Sequence, residues 1–163
     1  MEYIKGLQIA QEVLEQLRPH CYRCEIAGSI RRRKPQVKDI DIVAIPKPYE
    51  IGLLESGIAT VVNRWKIVRG KLPSTYTQRI LPDGTILDLW LAEKSNWGYL
   101  YAMKTGSYVY NIKKLVAGWN KQGYKSVDGV LWKDGEQFDA QEEEDLFRLA
   151  GVPYVSPEKR NWY

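Results

Sequence analysis

Three aspartates form the clearest chemical pattern in the chain. Asp39 and Asp41 are separated by one residue, and Asp88 lies in a later segment in which apolar residues surround it. Because a β-strand projects residues i and i+2 to one face, Asp39 and Asp41 are expected to point the same way. Carboxylates this close repel each other and raise each other's pKa unless a strong positive charge lies between them. Carboxylate oxygens are hard ligands that favour Mg²⁺, so the pattern indicates a divalent-metal site.

A basic segment precedes the paired aspartates. Gly28 and Ser29 lie where a predicted strand meets a turn or helix, and a glycine there lets backbone N–H groups approach a phosphate closely. A guanidinium can bind two phosphate oxygens at once. The cations that follow, with no acid among them, are Arg31, Arg32, Arg33, Lys34 and Lys38. This clustering favours a polyanionic ligand.

The first part of the chain is expected to form a sheet that positions these groups. Helical periodicity of apolar residues predicts an amphipathic helix over Tyr3–Leu17. Strands are predicted at 22–27, 39–45, 64–68, 75–81 and 85–91, with a second helix at 50–62. The turn sequence Pro82-Asp83-Gly84 joins the last two strands as a hairpin. The expected result is a mixed sheet that carries all three aspartates.

Beyond Ala92 the pattern is mainly helical. The predicted elements are a helix from Ser95 to Lys104, a longer helix over 108–121, a hairpin at 124–132, and a last helix with a capping box at Asp139 and Glu142. The acidic residues 143–145 lie in the first turn of that last helix, where the helix dipole favours negative charge. We therefore interpret them as a solvated helix start and not as a metal site.

Composition restricts the class of protein. The chain has 163 residues, a net charge of +4 and a pI near 9.0, which suit one compact domain or two small lobes. It has no apolar run long enough to span a bilayer and no secretory leader, so we expect an intracellular protein, cytoplasmic or at a viral replication site, and not a secreted or membrane protein. Cys21 and Cys24, beside the only histidine, lack a second ligand pair and are interpreted as ordinary thiols. A local disulfide is the alternative in an oxidising compartment.

Taken together, the ordered motifs resemble those of the polymerase-beta-type nucleotidyltransferases, and most closely those of the family X DNA polymerases. The matching positions are Gly28-Ser29-x-Arg31-Arg32, Asp39-Ile40-Asp41, Asp88, Thr105-Gly106-Ser107 with Asn111, and the ending Gly151-Val152-Pro153-Tyr154 with Pro157, Lys159 and Arg160. The resemblance extends over most of the chain and is closest to the reduced viral polymerase X type.

The resemblance implies an α+β fold in two parts. Residues 1–95 are expected to form a nucleotidyltransferase palm with a mixed β-sheet and flanking helices, and residues 96–163 a small C-terminal α+β subdomain that binds the nucleotide and nascent base pair. The amino-terminal lyase and helix-hairpin-helix module of larger relatives is not expected.

The activity implied is that of a DNA polymerase that adds deoxynucleotides from triphosphates to a primer 3′-hydroxyl and fills short gaps in DNA repair. Its cofactors would be two Mg²⁺ ions about 3.5–4 Å apart, for which Mn²⁺ can substitute. Asp39, Asp41 and Asp88 would hold the ion that activates the primer hydroxyl, and Asp39 and Asp41 the ion that neutralises the leaving pyrophosphate. The partners would be gapped or primed DNA and deoxynucleoside triphosphates, and the protein would act as a monomer.

Further site residues follow from the same resemblance. Ser29 and Arg32 match the β- and γ-phosphate contacts, with Gly28 and Lys38 beside them. Gly106 and Tyr108 match the positions that line the incoming sugar and base, and Asn111 matches a minor-groove contact. The family also has a cis peptide bond at the position of Gly106–Ser107. Lys113 and Lys114 are candidate contacts to DNA phosphates.

The chain departs from the family pattern in three places, one of them a pair of residues. Met103-Lys104 stands where relatives have an aromatic pair, Leu115 where the best-known member has an arginine that touches the template, and Ile86 where a basic residue often precedes the third aspartate. The alternative is therefore a template-independent terminal transferase, or another nucleotidyltransferase that acts on RNA or a small molecule. A non-catalytic nucleic-acid-binding remnant is disfavoured because no carboxylate is missing.

Overall fold

A computed structural model describes residues 1–163, which divide into two units, Met1–Ala92 and Glu93–Tyr163. The sequence placed this boundary three residues later, after residue 95. None of the helices combines the length and the apolar character that crossing a membrane requires.

A five-stranded mixed sheet forms the centre of the first unit. Its strands are β1 (Cys21–Ile26), β2 (Ile40–Pro46), β3 (Lys66–Arg69), β4 (Tyr76–Ile80) and β5 (Ile86–Leu91), in the spatial order β1-β2-β5-β4-β3. Strands β2 and β5 are parallel, and the other neighbours are antiparallel. The predicted hairpin across Pro82-Asp83-Gly84 is confirmed by the antiparallel pairing of β4 and β5.

The two faces of this sheet have different roles. Helix α1 (Tyr3–Leu17) has the predicted bounds, and its apolar stripe packs with alternate residues of β2 and β5 in one buried core. That core includes Leu14, Ile42 and Leu89, which are 5% exposed or less. Because side chains alternate along a strand, the residues between them, Asp41 and Asp88 among them, project to the opposite face.

The helix predicted over 50–62 is wrong for most of its length. Only α3 (Ala59–Val62) is helical, and the preceding residues form turns. Gly52 and Gly57 have φ angles of 108° and 56° there, in the left-handed region that interrupts a helix. A four-residue helix, α2 (Gly28–Arg31), follows β1 directly after Ala27.

The second unit packs helical segments around a small sheet. Its helices are α4 (Trp97–Thr105), α5 (Tyr108–Tyr110), a π-helical segment (Asn111–Val116), α6 (Ala117–Lys121) and α7 (Glu143–Leu149), and its antiparallel strands are β6 (Lys125–Val127), β7 (Val130–Lys133) and β8 (Glu136–Phe138). The predicted long helix over 108–121 is therefore present, with a π-helical centre. The sequence missed β8, which follows a turn with positive φ at Asp134 and Gly135.

Both predicted caps in this unit are displaced. Glu93, and not Ser95, forms a capping box with Asn96 at the short 3₁₀ helix before α4. Glu142 pairs in the same way with Asp145 at the start of α7, in place of the predicted pair of Asp139 and Glu142. Carboxylates therefore cap both elements, as the positive end of the helix dipole favours.

The two cysteines are buried free thiols in β1. The sequence interpretation as ordinary thiols agrees with this state. Hydrogen bonding with Cys21 and burial raise the pKa of Cys24, so its thiol stays protonated.

Candidate active site

The parallel pairing of β2 and β5 brings the aspartates together. Asp41 and Asp88 are direct partners in the ladder, and Asp39 immediately precedes the first residue of β2. The predicted strand start at Asp39 is thus one residue early. Neighbouring strands lie about 4.8 Å apart, so carboxyls from two distant parts of the chain converge on one patch of the sheet.

The electrostatics of this patch are those of crowded acids. The pKa of Asp41 is raised to about 7, chiefly by burial and further by the charges of Asp39 and Asp88, with a hydrogen bond from Trp90 and the charge of Arg32 acting in the opposite direction. Burial also raises the pKa of Asp39, and Asp88 contributes to that rise as well. Additional positive charge beside these groups would relieve the repulsion.

Asp88 is held by the neighbouring strand. The hydroxyl of Tyr76 and the amide Nε2 of Gln78 both donate to Oδ1 of Asp88, the latter at 2.9 Å. No group of three or more histidine, cysteine, aspartate or glutamate side chains in the structure is arranged to hold a metal ion. The donor set is nevertheless all carboxylate oxygen, which suits Mg²⁺ or Mn²⁺, and the raised pKa of Asp41 marks a place where a cation would be stabilising.

The glycine-serine turn lies directly against Asp41. Gly28 has a φ of 59°, and a Cβ at this position would clash with the carboxyl of Asp41. The backbone N–H of Ala27 also donates to the carbonyl oxygen of Asp41 at 2.8 Å. Ser29 Oγ is buried with no hydrogen-bond partner. Such an orphaned hydroxyl is rare in a folded protein, and it lies where the sequence predicts a phosphate contact.

Two cations of the basic segment, Arg32 and Lys38, act electrostatically on the acids. The positive charge of Arg32 opposes the rise in the pKa of both Asp39 and Asp41, and the charge of Lys38 opposes the rise in the pKa of Asp39. Lys38 is exposed, whereas Arg32 is half-buried. The first unit therefore combines three carboxylates, a glycine-serine turn and two nearby cations.

The predicted nucleotide-binding residues of the second unit surround one turn between α4 and α5. Gly106 has a φ of 71°, and the peptide bond from Gly106 to Ser107 is cis, as the resemblance implies. Tyr108 follows at the helix start with 79% of its surface exposed. Asn111 is buried, and its Nδ2 donates to the carbonyl of Met103 at 2.8 Å while its Oδ1 has no partner. An exposed aromatic ring and a buried amide oxygen without a partner thus follow this turn closely.

The C-terminal segment fastens this turn. Ser107 Oγ donates to the carbonyl of Trp162 at 3.0 Å and accepts from the Trp162 N–H at 3.2 Å. The Ser107 N–H donates to the carbonyl of Arg160 at 3.2 Å. Residues 160 and 162 therefore hold the turn at Ser107 through three hydrogen bonds.

A buried ion pair anchors that segment. Arg160 Nη1 donates to Glu143 Oε1 at 2.6 Å, and the two side chains are 0% and 5% exposed. Arg160 Nε also donates to the carbonyl of Val155, and the guanidinium lies 4.8 Å from the ring centroid of Phe147. The interpretation of residues 143–145 as a solvated helix start is therefore wrong for Glu143. The sequence offered no signal for this pairing, because the two residues lie on separate elements.

The predicted DNA contacts, Lys113 and Lys114, are exposed on the π-helical segment. Lys114 Nζ lies 5.2 Å from the ring centroid of Trp162. The sequence missed Tyr76 and Gln78, although the hairpin register alone places both opposite β5 on the face that carries Asp88.

Residues 101–161 match the sequence model of the DNA polymerase beta thumb. This segment extends from within α4 to the C-terminal 3₁₀ helix (Pro157–Arg160) and is less than half of the chain. No curated protein matches the chain. The second unit is thus related to the thumb of DNA polymerase beta.

Proposed function

We propose that this protein is a Mg²⁺-dependent DNA polymerase that adds a deoxynucleotide to a primer 3′-hydroxyl and fills short gaps in DNA. The observation that carries the proposal is the convergence of Asp39, Asp41 and Asp88 beside the turn at Gly28 and Ser29. The match of residues 101–161 to the thumb of a DNA polymerase supports the proposal that the substrates are a nucleotide and DNA.

Each group has a role that its environment supports. Asp39, Asp41 and Asp88 would hold the cations, which supply charge neutralisation and activation of the primer hydroxyl. Ser29 Oγ, which lacks a partner, would donate to a phosphate oxygen, and the Arg32 guanidinium would bind the same triphosphate. In the second unit, Tyr108 and Gly106 would contact the sugar and base, and Asn111 would contact the base edge. Catalysis would rest on positioning and electrostatic stabilisation.

A primer-extension assay tests the proposal. Single-nucleotide-gap DNA, open primer-template and bare single strand are offered with deoxy- or ribonucleoside triphosphates in Mg²⁺ or Mn²⁺. We expect addition that favours the gap, and none from Asp88→Ala. Arg32→Ala should mainly raise the KM for the triphosphate, whereas Asp41→Ala should abolish kcat. Wild-type protein that adds no nucleotide under any of these conditions would disprove the assignment.

A second candidate, a terminal transferase or a transferase acting on RNA or a small molecule, is favoured by one feature. Met103 and Lys104 occupy the end of α4, where an aromatic pair would otherwise exclude ribonucleotides. Equal extension of bare single strand and gapped duplex would support this candidate over the first.

A further inference from the structure

The edge strand of the first sheet, β3, carries an exposed basic surface. None of the site residues described for the first unit belongs to this strand. All four residues of β3 are exposed. The segment from Arg64 to Pro82 contains no acid, and its exposed cations are Arg64, Lys66, Arg69 and Lys71. An edge strand with this charge has a surface suited to a polyanion.

A β-bulge turns two of these cations toward the carboxylates. Lys66 pairs with Ile80 and Arg69 pairs with Gln78, with a register shift between Ile67 and Arg69. Residues three apart on a regular strand face opposite sides, but the extra residue of a bulge places both on one side. Because direct partners share a face, Lys66 and Arg69 lie on the face of Gln78, which contacts Asp88.

A continuous row of stacked side chains connects this edge to the acidic patch. The Arg69 guanidinium lies 5.4 Å from the ring centroid of Tyr76. The Tyr76 ring stacks on Trp90 with centroids 4.1 Å apart and an interplanar angle of 27°. The Tyr76 hydroxyl in turn donates to Asp88. The row therefore runs from cations through aromatic rings to the third carboxylate, across β3, β4 and β5.

We propose that this row, Lys66, Arg69, Tyr76 and Trp90, binds the DNA strand whose 3′ end lies at Asp88. This inference rests on the proposed function and names the surface on which the primer lies. Lys66 and Arg69 contact backbone phosphates close to the strand end, and the rings of Tyr76 and Trp90 lie against its last sugar or base. Charge complementarity favours a nucleic-acid strand over a β-strand of a second protein chain, because edge cations oppose strand pairing.

The test measures DNA binding separately from chemistry. Fluorescence anisotropy follows a labelled primer-template in EDTA, without nucleotide, over a series of salt concentrations. The variants are Lys66→Gln, Arg69→Gln and the two combined. The matched control is Lys5→Gln with Arg18→Gln, which removes two exposed cations on or beside α1, the helix that covers the other face of the sheet.

We expect the slope of log affinity against log salt to fall by about one for each single variant and about two for the double variant. The control should keep the wild-type slope. Equal slopes in the wild type, the two single variants and the double variant would overturn the proposal. A decrease of the slope in the control as large as that in the double variant would also overturn it. A changed sedimentation coefficient with an unchanged DNA slope would also overturn it, because the edge would then pair with a second copy of the chain.

The two proposals fail differently in this design. If wild-type protein adds no nucleotide but the double variant loses DNA affinity, the polymerase assignment fails and the surface remains. If wild-type protein adds nucleotides and the double variant binds DNA as the control does, the surface proposal fails and the assignment remains.

Discussion

Asp41 and Asp88 are direct partners across the one parallel strand pair of the first sheet. A parallel pair needs a long crossover, and here the chain between β2 and β5 contains both β3 and β4. The acidic patch thus forms only when the whole sheet is complete. The repulsion between its carboxylates destabilises the folded state, and the rest of the fold must offset that loss.

That repulsion predicts an unusual pH dependence in the metal-free protein. The pKa of Asp41 is raised to about 7 in the folded state, above its unfolded value near 3.8. The folded protein therefore binds this proton more tightly, and stability falls as pH rises from about 4 through about 7. Between pH 5 and pH 8 in EDTA, we expect the free energy of unfolding to drop by about 2 to 3 kcal/mol, as measured by urea denaturation.

Two variants check this explanation. Asp41→Asn removes the titrating group and should flatten the profile while abolishing nucleotide addition. Asp83→Asn is the control, because hydrogen bonds from Thr85 lower the pKa of Asp83 and place its titration below this pH range. A wild-type protein that is equally stable at both pH values would contradict the prediction.

Gly28→Ala should be far more damaging than a glycine substitution in an ordinary turn. Its φ is 59°, and the new Cβ would clash with the Asp41 carboxyl. Gly84 is the matched control, with a φ of 86° and no atom near the added Cβ. We expect a loss of about 3 kcal/mol or more for Gly28→Ala and of about 1 kcal/mol for Gly84→Ala, by urea denaturation. Similar losses would mean that the turn does not press on Asp41.

Local patterns in the sequence predicted the helix that packs on the first sheet and the strands that carry the aspartates. The apolar periodicity predicted the bounds of α1, and the turn sequence Pro82-Asp83-Gly84 predicted the β4–β5 hairpin. The i, i+2 spacing placed Asp41 on a strand, and the convergence with Asp88 followed from the family resemblance. These features depend on periodicity and turn chemistry, which act over short distances along the chain.

The errors arose where distant contacts override local preference. The side chain of Glu143 was expected to be exposed because it belongs to an acidic helix start. Instead it is buried in an ion pair with Arg160, which lies on a separate element. The bulge that places Lys66 and Arg69 on one face breaks the strand period without any glycine or proline between them. Neither the ion pair nor the bulge can be predicted from the pattern of neighbouring residues along the chain.

Tyr76→Phe should weaken metal binding without disturbing the fold. Removing the hydroxyl removes a hydrogen bond that orients the Asp88 carboxyl, while the ring can still stack on Trp90. Loss of such an orienting partner typically costs about 10- to 100-fold in metal affinity or activity. We expect the Mn²⁺ affinity, measured by electron paramagnetic resonance, to fall within that range. Tyr22→Phe, on an exposed side chain, is the control, and equal affinities in both variants would contradict the role of Tyr76.

The pair of Arg160 and Glu143 should dominate the stability of the second unit. Breaking a buried ion pair from one side leaves an uncompensated charge and costs about 3 to 5 kcal/mol. Arg160→Met should therefore destabilise this unit by that amount, measured by hydrogen exchange of its helix amides. The control is Arg148→Met, which breaks the exposed pair with Asp145 at 3.0 Å and should cost about 1 kcal/mol or less.

A double variant identifies the source of the loss. If the unpaired Glu143 charge is responsible, adding Glu143→Gln to Arg160→Met should restore part of the stability. The amide of Ser107, which donates to the carbonyl of Arg160, should exchange faster in Arg160→Met but not in Arg148→Met. Unchanged exchange at Ser107 would mean that the C-terminal segment holds the turn independently of the ion pair. Faster exchange there, reversed in part by the second substitution, would link the buried pair to the position of the turn at Gly106 and Ser107.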